Sequence, residues 1–196
     1  TRCAVYWEFI ESNQPFENEM ELWEKELNRL ETSFDNTWSG FDQSESQKLK
    51  AFRHAVPELV NAIVANNKRK CPNVRKISTD SSMPKHHFRE WLRYCIEHLE
   101  QEKIQYAAFG HLGDFHLHIN MLPSTEKQFD TALALYHDFM FNSCKKGGSI
   151  SAEHGVGKIK RDFLGYMYDS SAINQMKKIK QALDPNFLLN NGTLFS

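Results

Sequence analysis

Apolar positions along the chain switch between helical and strand-like spacing, and the switches mark out the elements. Residues 3–10 (CAVYWEFI) are β-branched and aromatic enough to predict a strand. From Phe16 to Leu30 the apolar residues Phe16, Met20, Trp23, Leu27 and Leu30 recur at helical spacing, with Glu and Lys between them. Residues 34–46 are polar and turn-rich, which predicts a loop. A second helical stretch starts near Ser46 and carries Leu49, Phe52 and Val56. Pro57 lacks an N–H and crowds the preceding turn, so a kink or a fresh start is expected before Leu59, Val60, Ile63 and Val64. Lys68 to Asn73 is basic and turn-like, and Val74 to Met83 is predicted extended.

Pro84 opens a third helix with Phe88, Trp91, Leu92, Cys95, Ile96 and Leu99 on one side. Strands are predicted at Ile104–Phe109 and Phe115–Leu122, joined by a turn at His111–Asp114. A fourth helix covers Glu126 to Lys145 and stops at Gly147 and Gly148. A short strand Ser149–Ala152, a glycine-flanked loop, a last helix near Ser170–Ala182 and an irregular tail complete the chain. The order predicts an α+β fold, a mostly antiparallel sheet with helices packed on it.

Composition narrows the classes. Twenty-four basic against 25 acidic side chains leave no basic excess for nucleic acid and no acidic arm. Cys3, Cys71, Cys95 and Cys144 stand far apart without CxxC spacing, which predicts buried free thiols in a reducing, cytoplasmic setting rather than a disulfide framework. No apolar run approaches the roughly 20 residues of a membrane span. A start at Thr1 without a signal pattern is read as a piece of something longer.

Two short segments concentrate the chemistry. In Phe115–Leu122 a period of two sends Phe115, Leu117, Ile119 and Met121 to one face and His116, His118 and Asn120 to the other. Gly110 and Gly113 bracket a turn that folds His111 toward the polar face. Glu153 and His154 sit in GGSISAEHGVG, thirty-odd residues on. Imidazoles with one carboxylate and open positions make a catalytic metal site. Any one of these histidines alone reads equally as a polar strand residue facing water. Gly155–Val156–Gly157–Lys158 is followed by Ile159, so the phosphate-loop spacing is absent.

The strings GHLGDFHLHIN, GGSISAEHGVGKIKRDFLG and LDPNFLLNNGTLF resemble the C-terminal, substrate-side domain of FAD-linked oxidases of the vanillyl-alcohol-oxidase type, which includes D-lactate, glycolate and D-2-hydroxyglutarate dehydrogenases. STDSSMP (78–84) resembles the extended segment before a helix in that family, and the likeness runs from about Arg53 to Phe195. The resemblance implies a ferredoxin-like cap domain over 1–196, with the tail 184–196 leaning on an FAD-binding domain. It also implies a divalent metal (zinc, then iron or manganese) on His111, His118 and Glu153. His154 would be the general base, Asn120 would lie beside the substrate, and Arg53 and Lys76 would bind the substrate carboxylate. Where the family has Gly and Asn, this chain has Phe115 and His116. Phe115 is expected to close space near the turn, and His116 to act as an extra or competing ligand.

The resemblance further implies FAD held by a domain of roughly two hundred residues, in cis or in trans, for which these residues have no counterpart. The implied function is the substrate- and metal-binding part of a flavin-dependent 2-hydroxy acid dehydrogenase, inactive as an isolated chain. Peripheral membrane association of the parent through its electron acceptor is a further implication. Two rival readings remain: a non-catalytic interaction or regulatory module of the same fold, and a metal-dependent hydrolase.

Overall fold

The computed structural model describes residues 3–8 and 16–195, and the chain divides into two units, Thr1–Leu59 and Val60–Ser196. In the first unit the helical spacing gives α1 (Phe16–Arg29). Residues 3–8 form no strand, which corrects the reading of 3–10; residues 9 and 10 lie outside the described residues. Strand propensity is realised only against a neighbouring strand, and here the side chains pack singly. Trp7 stacks on Trp23 at 4.8 Å, and Glu8 pairs with Lys50 at 3.0 Å.

The second helix, α2 (Gln43–Lys70), starts earlier than predicted and runs unbroken through Pro57. Its start follows from Asp42, whose carboxylate accepts the Glu45 N–H at 2.8 Å, a cap that the loop reading overlooked. Of the kink or fresh start expected at Pro57, the fresh start does not occur. A proline deletes one backbone hydrogen bond, and a 28-residue helix keeps the rest.

The second unit is built on β1 (Ile77–Ser78), β2 (Ser81–Ser82), α3 (Lys85–Gln101), β3 (Tyr106–His111), β4 (His116–Met121), α4 (Glu126–Lys145), α5 (Leu164–Met167) and α6 (Ser170–Leu183). All the strand pairings are antiparallel, and β4 is central: β3 pairs with one edge, β1 and β2 with the other. This is the α+β arrangement expected. Trp91, Cys95 and Leu99 of α3, Ile119 and Met121 of β4, and Ala132, Phe139 and Met140 of α4 are fully buried together. Each large apolar side chain in that layer contributes roughly 1.5–3 kcal/mol. Thr125 caps α4 by accepting the Gln128 N–H at 3.2 Å, and Asp169 caps α6 by accepting that of Ala172 at 2.8 Å.

Other corrections are local. The predicted strand Ser149–Ala152 reduces to one bridge, Ser82 to Ser149, because the chain turns away immediately. The short helix α5 has too few residues to show a period and was not anticipated. All four cysteines are free, yet only Cys95 is fully buried and Cys3 is exposed. The tail folds onto its own unit: Leu194 N–H donates to Gly157 O at 3.1 Å, and Arg161 to Gly192 O at 3.1 Å. Among the described residues no helix is long and apolar enough to cross a membrane.

Candidate active site

The sheet register decides which side chains share a face. Across β3, His118 pairs with Phe109 and His116 with His111; on the other edge Asn120 pairs with Ser78 and His116 with Ser82. Carrying that register through residues 79–80 sets Asp80 opposite His118. Side chains alternate along a strand, so Asp80, His111, His116, His118 and Asn120 share one face, while Ile77, Ile119 and Met121 share the other. The predicted alternation holds. The polar face is nevertheless not left to water, since His116 is 2% and Asn120 1% exposed.

The segment after α4 lies over this face. A Cβ on Gly148 would meet Ser143 Oγ at 2.5 Å and Ser82 O at 2.6 Å, so glycine is required where the segment crosses β2. There Ser149 N–H donates to Ser82 O at 2.9 Å. Asp80 then holds the segment down. Its backbone oxygen accepts the Ala152 N–H at 2.8 Å. Its carboxylate accepts the N–H groups of Glu153 (3.2 Å) and His154 (3.1 Å), the Ser151 hydroxyl (3.1 Å) and the Lys160 ammonium. Burial alone would push the Asp80 carboxyl up; Lys160 and the two backbone N–H groups outweigh it and hold it down at about 2. Both partners of this ion pair are buried.

So anchored, Glu153 points its carboxylate among the imidazoles. Oε1 is 3.0 Å from His111 Nε2 and 3.3 Å from His116 Nδ1. Oε2 is 3.3 Å from His118 Nε2 and 3.8 Å from His154 Nε2. Desolvation raises the Glu153 carboxyl, but His118, His116 and His111 hold it below the ordinary carboxylate range.

The His118 tautomer is fixed by its other nitrogen. Nδ1 is 2.9 Å from Thr79 O, and a carbonyl oxygen only accepts, so Nδ1 carries the proton. In the neutral ring, Nε2 then presents a lone pair to an ionised carboxylate, and a proton or a cation must lie between them. Ligand bonds of about 2.0–2.1 Å to a tetrahedral cation put N and O about 3.3 Å apart. The donor set therefore fits a divalent metal. Among the described residues, two sets of three bring ligand atoms within 4.8 Å of one another, His118–Glu153–His154 and Asp80–His116–His118, and His111 belongs to neither. The second is already engaged, by Lys160 on Asp80 and Thr79 O on His118.

Of the residues singled out from sequence, His111, His118 and Glu153 meet around one carboxylate, and His116 joins them. The His154 ring is exposed, 5.2 Å from that of His118. Asn120 is buried, its amide nitrogen donating to Ala107 O (3.3 Å) and His118 O (3.2 Å). Lys76 is exposed just before β1 and makes no hydrogen bond or ion pair with the cluster. Arg53 belongs to the first unit, where its guanidinium lies over the Tyr6 ring at 5.9 Å.

Phe115 corrects its expectation. It stands in the left-handed region (φ 51°) and turns its ring inward onto Phe88, 5.6 Å between centroids, instead of closing the turn. Asp80, Lys160 and Thr79 were missed. Their signal was weak, since a lone carboxylate in an extended segment declares its partner only once the strand pairing is known.

A family described as FAD linked oxidases, C-terminal domain, matches residues 7–194. Over 92 residues the chain is 41% identical to a D-2-hydroxyglutarate dehydrogenase of Stutzerimonas stutzeri, covering 45% of this chain and 20% of that protein. It is 45% identical over 87 residues to a probable mitochondrial D-2-hydroxyglutarate dehydrogenase of Oryza sativa subsp. indica, covering 44% and 15%. A mitochondrial D-lactate dehydrogenase (cytochrome) of Kluyveromyces lactis is 27% identical over 171 residues, covering 87% and 29%. The chain spans less than a third of the length of these relatives.

Proposed function

The chain belongs to the family of FAD-linked oxidase C-terminal domains, and from that premise we propose that it is the substrate- and metal-binding part of a flavin-dependent 2-hydroxy acid dehydrogenase. The observation that carries the metal is the His118 Nε2 lone pair facing Glu153 across 3.3 Å, with His111 on the other carboxylate oxygen. His111, His118 and Glu153 would hold the cation, zinc before iron or manganese.

A bound cation supplies polarisation of the 2-hydroxyl oxygen, lowering its pKa, and FAD on a partner domain supplies the hydride acceptor. The chain's own residues do the rest. His154 takes the hydroxyl proton at a ring nitrogen, a task suited to imidazole near neutral pH. Its backbone N–H is tied to Asp80 while its ring stays exposed beside His118. The Thr79 carbonyl fixes the His118 tautomer, and Asp80 with Lys160 sets the position of Glu153. The rival reading as a non-catalytic module drew on the GDFHLH departure and on the lack of a flavin-domain counterpart in these residues; the packing of the Phe115 ring on Phe88 bears only on the first of these.

Metal analysis tests the ligand set. The chain, stripped with chelator and reloaded with zinc, is expected to retain about one ion. His111→Ala, His118→Ala and Glu153→Ala should each weaken binding by tenfold or more. Retention of zinc through all three changes would sink the assignment. Supplied with a flavin domain and a dye acceptor, the chain should support 2-hydroxy acid oxidation that it cannot perform alone.

A further inference from the structure

We infer that Thr79 is a positioning residue for His118: its side-chain hydroxyl takes the place of its own carbonyl in the sheet and so releases that carbonyl to hold the imidazole. The consequence for metal binding rests on the reading above; the hydrogen-bond exchange itself does not.

The register that joins Ser78 to Asn120 and Ser82 to His116 sets Thr79 opposite Ile119. The Thr79 N–H donates to Ile119 O at 3.1 Å, which marks a pair that exchanges both backbone hydrogen bonds in a regular antiparallel ladder. Here the return bond is different. The Ile119 N–H donates at 2.9 Å to Thr79 Oγ1. The hydroxyl passes its own proton on to Leu117 O at 3.3 Å. It can do both at once, since a hydroxyl carries one donor and two acceptor lone pairs. Residues 79 and 80 thus fall between β1 and β2 although both strands pair with β4.

With its place in the ladder taken by the hydroxyl, Thr79 O meets His118 Nδ1 at 2.9 Å. Thr79 is wholly buried, so bulk water is no substitute for the hydroxyl. Asp80 Oδ1, 4.0 Å from the same nitrogen, is too far for a hydrogen bond and already accepts the Glu153 N–H. Which ring nitrogen carries the proton follows from the hydrogen bond that holds it. An unconstrained neutral histidine favours the proton on Nε2, the nitrogen that has to be bare to bind a cation beside Glu153. The threonine hydroxyl therefore sets the ligand atom without touching the ring. Serine can make the same exchange. Valine, of nearly the same shape, cannot: in Thr79→Val the buried Ile119 N–H needs a new acceptor, and the carbonyl returns to the ladder to supply it, leaving His118.

The test compares wild type, Thr79→Ser and Thr79→Val as full 196-residue chains, with melting of the metal-free proteins as the check that each folds. Ring-nitrogen NMR of the metal-free chains, at alkaline pH where imidazole is neutral, reads the His118 tautomer, and zinc titration reads affinity. Wild type and Thr79→Ser are expected to hold the proton on Nδ1 and to bind zinc alike. Thr79→Val is expected to carry it mainly on Nε2 and to lose roughly 10–100-fold in zinc affinity. A Thr79→Val chain with the wild-type tautomer and affinity overturns the inference, and so does a Thr79→Ser chain that behaves as Thr79→Val does. If wild type binds no zinc, the metal reading falls and takes the positioning role with it, while the tautomer comparison still decides the hydrogen-bond exchange. Should Thr79→Val fail to fold, wild type alone decides. A coupling across the hydrogen bond from the Ile119 amide nitrogen to the Thr79 carbonyl carbon refutes the exchange, and a slowly exchanging Thr79 hydroxyl proton without that coupling supports it.

Discussion

The two faces of β4 are buried almost equally and by opposite means. On one, Ile119 and Met121 disappear against α3, whose apolar stripe was plain in the sequence, and α4. On the other, His116 and Asn120 are buried just as fully, His116 against an irregular segment held by hydrogen bonds and one ion pair. Apolar burial is tolerant of partner and geometry. Polar burial is not, because every donor and acceptor taken from water needs a replacement. The helix-covered face can therefore be altered with a graded loss of stability. The segment-covered face should fail abruptly, and its chemistry with it.

The sharpest break of that comparison is Asp80→Ala. It leaves the Lys160 ammonium buried without its anion and frees the Glu153 and His154 N–H groups, so a loss of about 3–5 kcal/mol is expected. Zinc retention should collapse as well, since Glu153 loses its anchor. A cost under about 1 kcal/mol in chemical denaturation would mean that the segment is held by something other than Asp80.

On the opposite face, Ile119→Ala should cost about 2–5 kcal/mol through lost burial and the cavity left behind. The molecules still folded should bind zinc as wild type does. Coupled loss of metal affinity would show that the two faces are not separable.

Acid should discriminate the faces more gently. The Asp80 carboxyl is held at about 2 against an ordinary 3.8. A depressed folded pKa contributes stability that is full above the unfolded value and is lost as pH falls through the folded one. At 1.36 kcal/mol per unit this amounts to ~2 kcal/mol, disappearing between about pH 4 and 2. The stability gap between wild type and Asp80→Asn should narrow over that window, while the gap between wild type and Ile119→Ala stays flat. A gap that is independent of pH would deny Asp80 its ionised role.

The sequence was legible where one residue type repeats with a period, and opaque where a contact joins distant segments. The core face of α3 could be read from Phe88, Trp91, Cys95 and Leu99 at helical spacing, and the alternation of His116, His118 and Asn120 from a period of two. Pairing is a different matter: Asp80 faces His118 only through the register that joins Ser78 to Asn120 and Ser82 to His116. Lys160, between Ile159 and Arg161, carries no local pattern that singles it out, and it is the buried partner of Asp80. Residues 3–8 failed the other way, rich in strand formers but without a strand beside them.

The smallest effect lies at the join of the two faces, at Phe115. Its left-handed backbone (φ 51°) precedes β4, and its ring reaches into the core against Phe88. A non-glycine residue in this conformation costs roughly 1–2 kcal/mol, whereas the half-buried ring contributes about 1–2 kcal/mol through burial. Phe115→Ala keeps the strain and loses the ring; Phe115→Gly loses the ring and relieves the strain. The glycine variant should therefore be more stable than the alanine variant by about 1 kcal/mol, within reach of denaturant titration, with the order of the two unchanged by zinc. The reverse order would mean that the turn, and with it the placement of His111 beside Glu153, does not depend on a left-handed residue at this position.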